Sequence, residues 1–382
     1  MPRRKIGRKI GPTLEALENR TVQTVGISLS GTVLTITGDS WHNDALVSKV
    51  KNRLTVRVES VPTSGFVLTP EVVTKSFSNV KTIRFLGNAG DDSFDSTYIY
   101  PCYIDGGSGD DDLEGGGGND TIIGGAGNDT LRGVGGDDTL YGRADSDKLY
   151  GGSGLDGLYG GGGTDELYGN EDADRFLILD GQSEHKDASS TDAVIRFKSD
   201  EKGWPEGDVE AVDLGLQQLH LRTRNDNLLE TSSGGSLTFS RGADNGTIRG
   251  RNRGSGRITL YDGAFSSSGQ TALTTIHEVG HNFDTEHQNW SKWMSQSGWR
   301  SSEPSSSDAS KYSKGTDDEE DWWYLKSAKF ARSYGKTNPR EDFASAWESY
   351  FVFKYKLKNE TGVVKLTSAK SKHLEDFYKS LS

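Results

Sequence analysis

Two histidines bracket a glutamate in the pentapeptide HEVGH, His277 to His281. On a helix, residues four apart project from one face, one turn apart. Two imidazole nitrogens at that spacing suit a tetrahedral zinc ion. Glu278 adjoins the first histidine, where a carboxylate can act as general base toward the water that such a metal activates. Three of the chain's seven histidines fall within the eleven residues HEVGHNFDTEH.

A zinc site needs a third protein ligand, and HEVGH by itself does not name it; resemblances to two metallopeptidase families imply His287 or Glu341. His287 lies six residues past His281. Glu341 lies on a second expected helix, PREDFASAWESYFVFKYK (339–356), and can approach the first helix from the side. Glu341 and Glu348 stand seven apart and so share one face. One can ligate while the other orients a histidine. Glu341 also has the spacing from Asn338 of a helix N-capping pair, which is its structural alternative.

HEVGHNFDTEH has the spacing of the metzincin motif HExxHxxGxxH, and resembles in that respect the serralysins, which also carry calcium repeats. The chain departs from that pattern. Asp284 replaces the turn glycine, Met294 gives no convincing Met-turn, and serralysins place their repeats after the protease. The stretch SYGKTNPREDFASAWESYF (333–351) is similar to a segment of anthrax lethal factor-type metallopeptidases. That resemblance implies Glu341 as third zinc ligand and Tyr334 as the tyrosine facing the substrate carbonyl. His287 then takes a surface place or orients a ligand. The implied activity is that of a zinc endopeptidase with an α+β zincin-like domain.

The elements that carry these residues follow from local signals. SSSGQTALTTIHEVGHNF reads as a helix with serine or threonine at its start, and 339–356 as another, with Asn338 as N-cap and Pro339 in the first turn. GSLTFSRGA (235–243) and GRITLYDGAF (256–265) read as strands. The latter, just ahead of HEVGH, is expected at the sheet edge, where an extended substrate can add as a further strand. QSEHKDASSTD (182–192) reads as a linker or loop.

Before the linker runs a nine-residue period. Residues 106–177 divide into eight units, GGSGDDDLE to GNEDADRFL, with aspartate at every sixth position: Asp111, Asp120, Asp129, Asp138, Asp147, Asp156, Asp165 and Asp174. The eighth position is always Leu, Ile or Phe. A further unit, GNAGDDSFD (87–95), precedes a ten-residue interruption, 96–105. Glycines allow tight left-handed turns, and the turns present carbonyl and carboxylate oxygens, the hard ligands that calcium prefers. The pattern resembles the RTX nonapeptide repeat, which implies a parallel β-roll with calcium in its turns. GRADSDKLY and GNEDADRFL lack most turn glycines, so weak sites are expected there. Residues 87–177 carry 20 acidic and 4 basic side chains, a net of −16. Cations must offset that repulsion, which couples calcium binding to folding.

The fold class expected is therefore multidomain, a parallel β-roll followed by an α+β domain. Residues 1–25 form a leader, 26–86 short strands that cap the roll, 87–180 the roll and 181–382 the metallopeptidase domain. The net charge of −12 argues against nucleic acid as partner. One cysteine, Cys102, excludes an internal disulfide, and no apolar run is long enough to span a bilayer. LEALENRTV near the N-terminus resembles the LEPR-type segment of planctomycete surface and secreted proteins, which implies export. The expected cofactors are Zn2+ and Ca2+, and the expected partner a peptide or protein substrate, outside the cell or at its surface. The other function class is a non-catalytic calcium-binding surface or adhesion protein with a degenerate zincin domain.

Overall fold

The computed structural model describes residues 25–50, 53–61, 71–179, 183–185, 192–198, 203–223, 229, 236–243, 249–253, 255–283, 290–316, 322–332, 334–359 and 363–379. Their N-terminal half is a solenoid of two facing parallel sheets. Each nonapeptide makes one strand and one turn, and successive units alternate between the sheets. Parallel neighbours are consequently 18 residues apart, as in the register Thr121↔Thr139, Thr139↔Gly157 and Gly157↔Arg175. The apolar eighth residues all point inward, so Leu113, Ile122, Leu131, Leu140 and Leu149 are fully buried. A single unit has no partner for that face, which is why the array is stable only as a stack.

The turns demand positive φ, and glycine supplies it at positions such as Gly127, with φ 127°. The glycine-poor units adopt the same backbone without glycine. Arg143, Asp145, Asn170 and Asp172 have φ between 72° and 83°. The stacked neighbours impose the conformation, at a local strain cost of order 1 kcal/mol or more per residue.

The strand region 26–86 does more than sit on the end of the stack. Strand Val33–Thr37 pairs in parallel with Thr82–Ala89, and His42–Val50 in parallel with Ser93–Ser96. Residues 33–50 therefore form a first coil of the solenoid. Antiparallel strands Arg53–Val61 and Glu71–Phe77 then extend one sheet beyond it.

At the other end, one sheet passes from the repeats into the C-terminal region without a break. It has 12 strands among the described residues. After Arg175–Leu179 come Ala193–Lys198, Thr238–Gly242, Arg257–Tyr261 and, at the edge, Gly250–Asn252. Within the expected linker, Ser183–His185 pairs with Asp165–Asn170 as a strand of the second sheet. The strand expected at the sheet edge, 257–261, is internal: Thr238–Gly242 flanks it on one side and antiparallel Gly250–Asn252 covers the other.

Five α-helices follow among the described residues: α1 (Glu206–Thr223), α2 (Ser268–Gly280), α3 (Trp290–Ser297), α4 (Pro339–Lys354) and α5 (Ser368–Lys379). Helix α2 packs on the edge strand Gly250–Asn252 and on α1 and α4, and α3 and α5 pack on α4. Helix α1 bridges the solenoid and the remaining helices. Glu210 pairs with Arg143 at 2.9 Å, Gln217 donates to the Thr139 hydroxyl at 3.2 Å, and Asp213 lies 3.4 Å from the fully buried Arg175. Tyr159 and Leu177 of the roll join Phe197, Leu260, Ile276 and Trp347 in one apolar cluster. No helix of the described residues is long and apolar enough to cross a membrane.

Candidate metal centre

Helix α2 starts at Ser267, whose hydroxyl accepts from the Gln270 amide at 3.1 Å. Its run of Thr274, Thr275, Ile276 and Val279 has poor intrinsic helix propensity. Burial outweighs this, since every residue from Gln270 to Gly280 is buried. A Cβ on Gly280 would lie 3.1 Å from the Trp347 ring, so glycine sets how closely α2 and α4 cross.

Helix α4 starts at Asn338, whose side-chain oxygen accepts from the Glu341 amide at 3.0 Å. The capping contact and the ligand position thus coexist: the backbone of Glu341 is capped while its carboxylate is free to turn toward α2. The next residue, Asp342, takes both its oxygens to the buried Lys370 ammonium of α5, at 2.7 and 2.9 Å. Trp299 Nε1 donates to the same carboxylate at 3.3 Å. The first turn of α4 is anchored on both sides of Glu341.

Three side chains converge between the helices. Glu341 Oε2 lies 3.3 Å from His277 Nε2 and 3.5 Å from His281 Nε2. All three candidate ligand atoms are within 4.8 Å of one another. A tetrahedron with metal–ligand bonds of about 2.0–2.1 Å has edges of about 3.3 Å, so this donor set fits zinc. Two imidazoles and one carboxylate are also the donor types that zinc takes. Burial acts to lower the His277 pKa, but the carboxylates Glu341 and Glu348 outweigh it and the value is raised. Burial acts to raise Glu341, yet the two histidines hold it well below the usual carboxylate range.

Around this group stand residues that orient it. Glu348 Oε2 is 3.6 Å from His277 Nδ1, on the side away from Glu341. Its other oxygen accepts from Arg332 at 2.6 Å. Glu278 is buried, and burial raises its pKa; the two histidines oppose that shift and Glu341 adds to it. One of its oxygens, Oε2, has no hydrogen-bond partner. The edge strand closes over it. A Cβ on Gly250 would come within 2.6 Å of Glu278 Oε1, so only glycine leaves room for the carboxylate. Asn252 donates to the Glu278 carbonyl at 2.8 Å and to Asn282 Oδ1 at 2.7 Å, tying the edge strand to the end of α2.

Of the residues singled out in the sequence, His277, Glu278, His281, Glu341 and Glu348 come together here. Tyr334 opens a short 3-10 turn, Tyr334–Lys336, immediately before α4; its side chain lies outside what the structure describes. His287 also lies outside the described residues. Gly250, Asn252 and Arg332 carry no motif and were not expected.

The repeat aspartates form a second constellation, sorted into two ladders on opposite edges of the solenoid. Asp111, Asp129, Asp147 and Asp165 line one edge, and Asp120, Asp138, Asp156 and Asp174 the other. In each ladder Oδ1 accepts from the backbone amide of the ladder residue one coil earlier, 18 positions back except at Asp111, which takes Asp92 19 back; examples are Asp129 to Asp147 at 2.8 Å and Asp138 to Asp156 at 2.8 Å. All eight are at most 2 % exposed. Oδ2 of seven of them, all but Asp165, has no partner. Buried carboxylate oxygens left so call for a cation. Desolvation pushes Asp120, Asp129 and Asp156 up to about 7, Asp111, Asp147 and Asp174 up to about 8, and Asp138 up to about 9.

Both ladders run past the repeats. One begins with Asn43 and Asp92, and the other begins with Cys102 and ends with Asp192. Asp147 and Asp174, from the glycine-poor units, hold the same position as the rest. The interruption 96–105 is ten residues long, and Cys102 falls in the aspartate place.

Residues 105–140, 123–158 and 141–176 match the RTX calcium-binding nonapeptide repeat family. No curated protein and no solved structure matches the chain. The chain carries a calcium-binding RTX module folded as a β-solenoid with a buried aspartate ladder, joined to a C-terminal region with a His–His–Glu group able to hold a metal.

Proposed function

We propose that the chain is a secreted, zinc-dependent endopeptidase whose C-terminal region is zincin-like and whose calcium-filled roll supports the catalytic sheet. The observation that carries this reading is the convergence of His277, His281 and Glu341 beside the buried carboxylate of Glu278. Export is supported by the calcium-binding repeats, since millimolar calcium is met outside the cell and buried aspartates need it.

Zinc held by these three residues supplies Lewis-acid chemistry toward a carbonyl and toward water. Glu278 is the base. It takes the proton of the attacking water and hands it to the leaving amine. Tyr334, by resemblance, donates a hydrogen bond to the oxyanion. Glu348, held by Arg332, fixes the ring of His277. The edge strand Gly250–Asn252 is the place for an extended substrate, which would add as a further strand beside Glu278. In the roll, Asp111, Asp120, Asp129, Asp138, Asp147, Asp156, Asp165 and Asp174 each direct oxygen to calcium.

The test is zinc content and peptide-library cleavage by the whole protein, with calcium present. The parent is expected to hold one zinc and cleave, Glu278→Gln to hold zinc without cleaving, and Glu341→Ala to lose zinc. Parent protein without zinc would overturn the reading in favour of a calcium-binding surface protein. Zinc kept in Glu341→Ala and lost in His287→Ala would move the third ligand to His287.

A further inference from the structure

The turn at residues 38–43 lies outside the repeat match, yet it is built like the turns that follow. GDSWHNDAL (38–46) has glycine first, asparagine sixth and an apolar residue eighth. Asn43 donates its backbone amide to Asp92 Oδ1 at 2.7 Å, as Asp92 does to Asp111 at 2.7 Å and Asp111 to Asp129 at 2.8 Å. A Cβ on Gly38 would meet the Gly87 carbonyl at 2.5 Å and the Asn43 amide at 3.0 Å. One coil later, a Cβ on Gly87 would meet the Gly106 carbonyl at 2.3 Å and Asp92 Oδ2 at 2.4 Å. Asn43 thus stands in a ladder place, with its amide nitrogen where the later coils put a carboxylate oxygen.

Asn43 and Asp92 are 0 % and 1 % exposed, and Asn43 Oδ1 and Asp92 Oδ2 have no hydrogen-bond partner. Asn43 Nδ2 donates to the Trp41 carbonyl and, at 2.9 Å, to Asp92 Oδ1. Half a turn of the amide about its last torsion exchanges oxygen for nitrogen at that place and releases the Trp41 carbonyl. The amide oxygen then takes the place that now contacts both the Trp41 carbonyl and the Asp92 carboxylate, and all three groups are hard donors. Asp39 adds negative charge nearby; its carboxylate is held by the Trp41 amide at 2.8 Å and by Ser60 Oγ at 3.1 Å.

We propose that Asn43, Asp92 and the Trp41 carbonyl form a calcium site outside the repeats, which fastens the N-terminal strands to the roll. It has one ladder carboxylate where the internal sites have two. Affinity drops as ligand charge is lost, so this site fills last and empties first.

Trp41 offers a local reporter, because the other seven tryptophans begin at Trp204. Terbium(III) is added to the full chain, and emission sensitised by tryptophan is read with calcium as competitor. The difference between parent and Trp41→Phe isolates the site. The Trp41-dependent emission is expected to vanish in Asn43→Leu. In Asn43→Asp, which adds a carboxylate, it is expected to persist to roughly tenfold lower terbium. Absence of a Trp41-dependent component in the parent, or its indifference to both substitutions, would overturn the proposal. If Asn43→Leu loses the circular dichroism of the roll, the Asn43→Asp titration decides alone: tighter binding supports the site and unchanged binding sinks it.

Discussion

Removing calcium should unfold the roll at neutral pH, and acid should restore it. The aspartate at 129 is 1 % exposed, and burial raises its pKa from 3.8 to about 7. Its folded-state value lies above its unfolded one, so the folded roll binds the proton more tightly. The stability this group leaves intact is therefore present at low pH and is lost as pH climbs from about 4 through about 7. Each pKa unit corresponds to about 1.4 kcal/mol, so ionising such a group costs the folded roll about 4 kcal/mol. Asp92, Asp120 and Asp156 reach about 7 as well, and Asp138 about 9. Three or four such costs consume the whole stability of an ordinary domain, about 5–15 kcal/mol. Calcium removes the cost and adds about 2.7 kcal/mol per site at a hundredfold excess over its dissociation constant. The assay is circular dichroism of the full chain in a chelator, from about pH 8 down to about pH 5, a range set by these shifts. Strand signal should be low at the alkaline end and return on acidification, while with calcium it should stay level. Calcium binding near neutral pH should also release protons, measurable in weak buffer. A calcium-free roll that is folded at about pH 8 and indifferent to acid, or calcium uptake without proton release, would refute the reasoning.

Calcium depletion should also weaken zinc binding, because the sheet under α2 continues that of the roll and α1 rests on both; unchanged zinc affinity in the chelated protein would show that the two are uncoupled. Gly250→Val should reduce turnover by two orders of magnitude or more while zinc stays bound, since the new side chain displaces the Glu278 carboxylate; full activity would remove Gly250 from the argument. Glu348→Gln should lower zinc affinity about 10–100-fold without unfolding the protein, as loss of a histidine-orienting carboxylate does elsewhere. Equilibrium dialysis against a zinc indicator reads that change.

Much of the roll was legible in the sequence because its information is local and periodic. Aspartate at every sixth position and an apolar residue at every eighth dictate turns, inward faces and an 18-residue parallel register. HEVGH likewise implies two histidines on one helix face, since the period of a helix is a property of the backbone. The place of Glu341 beside them needed the resemblance of 333–351, because its own spacing from Asn338 equally describes a cap, and both contacts are made.

Other features depended on contacts distant in sequence. No local pattern makes Gly250–Asn252 the edge strand and places 257–261 inside the sheet. That order follows from which strand has a neighbour on each side, and the chain there runs antiparallel to Arg257–Tyr261. Arg332 reaches Glu348 only because the segment before α4 folds back across that helix. Asn43 and Asp92 are separated by 49 residues; the two antiparallel strands between them break the nine-residue period, so only the stacked coils reveal a common ladder. The sequence by itself determined the ligand types and the repeating unit, because both are written in short-range spacing. The tertiary structure decided which units share an edge and which strand lies open beside Glu278. Those depend on burial and pairing between segments whose separation along the chain has no fixed period.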